Sequence, residues 1–79
     1  MRLIPANSSN LSGFAFDTDK LDFYVCFVDG RVYRYPDTRP WDVTNIVFAE
    51  SQGKAFNAWK HGKQNYEVTD ETVLDVFRL

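Results

Sequence analysis

Cysteine occurs once in this chain of 79 residues, so no disulfide can form within it. Small domains that fold without staples usually occupy a reducing compartment, and a cytoplasmic location is expected. Histidine also occurs once, as His61, and Cys26 lies alone in the middle of an apolar run. Neither residue has companions at metal-ligand spacing, so no metal or cofactor is expected. No apolar stretch approaches the length of a membrane span, and Met1 to Asn10 lacks the apolar run of a signal peptide. With three prolines and four glycines and no low-complexity tract, nothing marks a linker, and residues 1–79 read as a single domain with one core.

Aromatic residues, by contrast, are plentiful. Seven Phe, four Tyr and two Trp supply bulk with few rotatable bonds, which suits a shallow core. Phe14 and Phe16 alternate with Gly13 and Ala15. Leu21, Phe23, Val25 and Phe27 then share one face of a second run, which Asp29-Gly30 breaks. A two-residue Asp-Gly turn would set Val25 against Arg34. A three-residue loop of Val28, Asp29 and Gly30 sets Val25 against Tyr33 and Phe23 against Tyr35, and it keeps the apolar face whole. The second register is the expected one, with Gly30 left-handed and Arg34 pointing away from the core.

After Pro36 the pattern turns helical. Asp37 or Thr38 precedes Pro40 and Asp42 as a helix entry would, and a largely buried helix over about 40–50 follows, its stripe of Val43, Ile46 and Val47 broadened by Trp41 and Phe48. Ser51 is a candidate cap for a second helix over about 52–61, which Gly62 ends. Residues 69–78 read as a helix capped by Thr69 or Asp70, with a strand through Val73 to Phe77 as the alternative. The expected fold is α+β: a three-stranded antiparallel meander (about 11–16, 21–28, 31–35), two helices and a C-terminal segment.

The net charge of −2 conceals segregation. Residues 1–30 carry two cations and four acids, residues 31–63 six cations and three acids, and residues 64–79 one cation and four acids. A basic middle that holds aromatic residues is the composition that grips single-stranded nucleic acid, through charge on phosphates and stacking on bases. Arg31, Arg34, Lys54, Asn57, Lys60, His61 and Lys63 are the candidate contacts. Ser51, Gly53 and Lys54 at a helix start suit an anion, but the spacing is no phosphate loop, and a plain cap explains it. A second reading is protein docking or self-association through an apolar patch of Val73, Val76, Phe77 and Leu79, with Trp41 or Trp59 where exposed. No nucleophile with a base and no close carboxylate pair can be named, so no catalysis and no small-molecule substrate are expected.

Three segments carry a resemblance. Ser8-Ser9-Asn10, Val32-Tyr33-Arg34-Tyr35 and Ser51-Gln52-Gly53-Lys54-Ala55-Phe56-Asn57 resemble, in order and spacing, the KTSC domain, over about residues 8–66. That module takes its name from the C-terminus of some lysyl-tRNA synthetases and also stands alone in bacteria and phages. The resemblance implies a small α+β domain and suggests RNA as a partner, while residues 67–79 form an acidic amphipathic tail beyond the shared segment.

Overall fold

The computed structural model describes residues 1–78. Five strands, β1 (Ile4–Pro5), β2 (Leu11–Asp17), β3 (Asp22–Phe27), β4 (Val32–Tyr35) and β5 (Tyr66–Glu67), form one antiparallel sheet in the order of the chain. Helices α1 (Pro40–Val47) and α2 (Gln52–Trp59) lie between β4 and β5, and α3 (Glu71–Phe77) closes the described chain. The central meander and the three helices match the expected α+β class. The two edge strands were not foreseen: each is two residues long, and Pro5 and the polar run around Tyr66 break any alternation.

Turn chemistry sets the register. Asp17 Oδ1 accepts from the amides of Asp19 and Lys20 and folds the β2–β3 connection. Leu21, expected on the apolar face, instead completes this turn in the left-handed region at φ 59°. Between β3 and β4, Val25 pairs with Tyr33 and Phe23 with Tyr35, as the three-residue loop requires. Phe27 and Arg31 close that loop with an N–H···O bond of 2.9 Å, and Gly30 takes φ 93°. A bulge at Ser12 turns Leu11 to the same face as Phe14, so both are buried together.

The sheet is apolar on both faces, where one core was expected. On the first face Phe14, Phe23, Val25 and Tyr35 pack against Val43 and Ile46 of α1 and Phe56 of α2. On the second, Ala15, Tyr24, Cys26 and Val32 lie beneath Val73, Leu74, Val76 and Phe77 of α3. The alternation of β3 explains the arrangement: Phe23 and Val25 point one way, Tyr24 and Cys26 the other, and all four are apolar enough to need cover.

Helix ends follow local hydrogen bonds. Thr38 does not cap α1: its hydroxyl donates 2.8 Å to the Tyr35 carbonyl and is buried, leaving Arg39 at the N-cap and Pro40 in the first turn. The Gln52 amide donates 2.8 Å to the Val47 carbonyl, closing α1 three residues before the expected Glu50. Ser51 caps α2 by accepting from the Lys54 amide, and Asp70 caps α3 by accepting from that of Thr72.

Candidate functional site

The loop after α2 brings its basic residues back to the start of β4. Lys60 and His61, leaving the helix, face Arg31 across a cleft of about 420 Å³, with the rings of Tyr33 and Tyr35 as its floor and Asn65 at its rim. Three of the seven nucleic-acid candidates therefore meet. Lys63 lies alongside, its Nζ 5.0 Å from the centre of the Trp59 ring, and Lys60 sits 5.5 Å from that of Phe56. In both contacts the ammonium itself stands over an aromatic ring.

Arg31 is oriented by its neighbour Asp29, which accepts from the Arg31 amide at 3.0 Å and from Nε and Nη2 at 2.8 Å each. Nη1 lies 3.5 Å from the Tyr33 hydroxyl on the cleft floor. These bonds, led by the one from the Arg31 amide, lower the Asp29 pKa below its ordinary 3.8, and Asp29 in turn raises that of Arg31. Glu67 pairs with Tyr33 and adds a second negative charge near Arg31. Arg31 is thus held in place by Asp29, whereas no ion pair engages Lys60 or Lys63 among the described residues.

Arg34 is not in this cleft. Alternation on β4 places it on the opposite face, 3.4 Å from the nearly buried Asp22 and 4.8 Å from the centre of the Tyr66 ring. Its side chain, 35% exposed, thus faces away from Arg31, Lys60 and His61. Lys54 and Asn57 occupy a separate polar cleft of about 500 Å³ at the other end of α2, between Glu50–Gly53 and Asn7–Asn10.

The protein-partner candidates also divide. Trp59 is half-buried, edge-on to Phe23 at 5.8 Å and 5.3 Å from Tyr35, so it is a packing residue; its indole Nε1 is buried without a hydrogen-bond partner. Val73, Val76 and Phe77 are half-buried on the second face of the sheet and form no free patch. Leu79 lies outside the described residues. Trp41 remains exposed, and Phe48, read from the sequence as broadening a buried stripe, is exposed as well. Both project from the side of α1 away from Val43 and Ile46, a distinction that apolarity alone does not signal. Among the described residues, no three His, Cys, Asp or Glu side chains gather at metal-binding distance. No described helix is long and apolar enough to cross a membrane.

The family model of the KTSC domain matches residues 7–66. The chain belongs to the KTSC domain family. A crystal structure of a KTSC domain protein from Yersinia pestis is similar, with a TM-score of 0.78 and 20% identity over 85% of this chain and 96% of that one. No curated protein matches the sequence. The KTSC segment ends at Tyr66, so α3, the cover of the second face, follows it.

The geometry explains why the KTSC motifs have their form here. Ser8–Asn10 and Ser51–Asn57 are brought together at the polar cleft. A Cβ on Gly53 would stand 3.2 Å from both Ser8 Oγ and Asn10 Oδ1, so the two segments approach closely at this glycine. The Asn7 amide donates 2.6 Å to Gln52 Oε1, tying the chain before β2 to the α1–α2 junction. In the Tyr-x-Tyr centre, Tyr35 is buried edge-on to Phe56 at 5.5 Å, while Tyr33 is half-buried beside the basic cleft.

Proposed function

We propose that the protein is a non-enzymatic module that binds single-stranded RNA in a bacterial or phage cytoplasm. Lys60, His61, Lys63 and Arg31 meet the phosphates, and the half-buried Tyr33 offers a ring to a base. The observation that carries the reading is the meeting of Arg31 with Lys60 and His61 at one cleft on the first face of the sheet. The acidic α3 packs on the second face, so its carboxylates stand away from the approach of a polyanion. Lys54 and Asn57 lie on the same helix and extend the contact for a longer strand. The buried, unpaired Cys26 suits a reducing compartment.

Fluorescence anisotropy with a labelled single-stranded RNA tests the reading. Affinity should fall steeply with salt, each lost phosphate contact reducing the logarithmic salt slope by about 0.7. Replacing Lys60 and Lys63 together by Glu should abolish binding, whereas Arg34→Gln, on the opposite face, should leave it within about twofold of wild type. Undetectable binding at low salt, or equal loss from both sets of variants, would refute the assignment.

A further inference from the structure

Tyr35 belongs to the core, yet its polar end does not. Only 4% of the residue is exposed, and its ring packs edge-on to Phe56 at 5.5 Å and tilted against Trp59 at 5.3 Å. Its hydroxyl makes no hydrogen bond to a described residue. Trp59 Nε1 is the one side-chain nitrogen or oxygen among the described residues that is both fully buried and unpartnered, so the Tyr35 hydroxyl keeps an opening, and the basic cleft that Tyr35 lines is where it opens. Burial, and then Tyr33 beside it, raise the Tyr35 pKa above the ordinary 10.0. The phenol therefore stays protonated at neutral pH, and a donor stands at the floor of the cleft for an acceptor that the chain does not supply.

The groups around this hydroxyl indicate the acceptor. Arg31, Lys60 and His61 line the same cleft, and no carboxylate of the described residues does; Asp29 and Glu67, which act on Arg31, are not among the lining residues. Donors and cations gathered at one recess select an anion with several oxygens. A recess of about 420 Å³ has the size of a site for one small unit rather than of a groove for a run of nucleotides. Depth narrows the choice further. An internal phosphodiester is flanked by sugar on both sides and rides over a surface, whereas a terminal phosphate projects from the strand, carries about 1.5 to 2 negative charges and presents three free oxygens.

We propose that the cleft is a pocket for the terminal phosphate of a single-stranded RNA, with the Tyr35 hydroxyl donating to it from the floor and Arg31, Lys60 and His61 closing around it. The proposal rests on the RNA reading above and adds to it a preference for one end of the strand over its interior. The Tyr33 hydroxyl accepts from Arg31 Nη1 at 3.5 Å and ties the floor to the cationic wall, which leaves the half-buried Tyr33 ring beside the phosphate for the terminal base.

Fluorescence anisotropy tests this with one RNA sequence in three forms, with hydroxyls at both ends, with a 5′-phosphate or with a 3′-phosphate, at one fixed salt concentration. One phosphorylated form should bind at least about tenfold tighter than the hydroxyl form, and which one does so tells which end enters the cleft. In Tyr35→Phe, which removes only the hydroxyl and whose fold circular dichroism checks, that preference should shrink to less than about threefold. Equal affinity of the wild type for the three forms would overturn the proposal and leave the RNA reading standing, as would a preference still near tenfold in Tyr35→Phe. No binding of any form at low salt would overturn both.

Discussion

Gly30 shows how one residue fixes a register. Its φ of 93° is costly for any residue with a Cβ, yet a Cβ there would meet nothing within 4 Å. Gly30→Ala should therefore cost about 1–2 kcal/mol from backbone strain alone, measurable by urea denaturation and without change in the fold. The aromatic core makes the opposite case. Phe56 is fully buried against Tyr35 and Phe27, and Phe56→Ala should cost about 3–5 kcal/mol. Trp59→Phe should cost less than about 1.5 kcal/mol, because the lost ring volume is offset by removal of an indole N–H that has no partner. Asp29 supplies a pH signature. Its pKa is lowered in the folded state, so its contribution is present above the ordinary carboxylate range and is lost as pH falls through the depressed value. Asp29→Asn should thus be less stable than wild type at neutral pH, and the two should converge in acid; a gap that persists in acid would contradict this.

At the scale of elements, α3 acts as the seal of the second sheet face. Leu74→Asp puts a carboxylate against Ala15, Tyr24, Cys26 and Val32, and should lower stability by at least about 1 kcal/mol and raise binding of an apolar dye. Wild-type behaviour would mean that the seal is dispensable. The meander was legible in the sequence because strict alternation and a single glycine leave one register that keeps Phe23, Val25, Tyr33 and Tyr35 together. The edge strands were not legible, since two residues cannot display a period of two. Helix α1 was legible in place but not in orientation: Trp41 and Phe48 are as apolar as Val43 and Ile46, and only the packing of the sheet decides which pair is covered.

At the scale of the whole molecule, Lys60, His61 and Lys63 gather at the end of α2 and the acids of α3 lie over the second face, while Asp29 and Glu67 stay beside Arg31. Lys60, His61 and Lys63 were legible as a local cluster, and alternation already turned Arg34 away from Tyr33 and Tyr35. The junction with Arg31 was not legible, because it depends on how α2 lies across the sheet. The most direct test of the RNA reading is an amide NMR titration of the protein with a mixed single-stranded RNA at low and then moderate salt. Shifts at Arg31 and from Lys60 to Lys63 that fade with salt, with α3 unmoved, are the expected result. An unmoved spectrum at low salt, or shifts confined to α3, would contradict it.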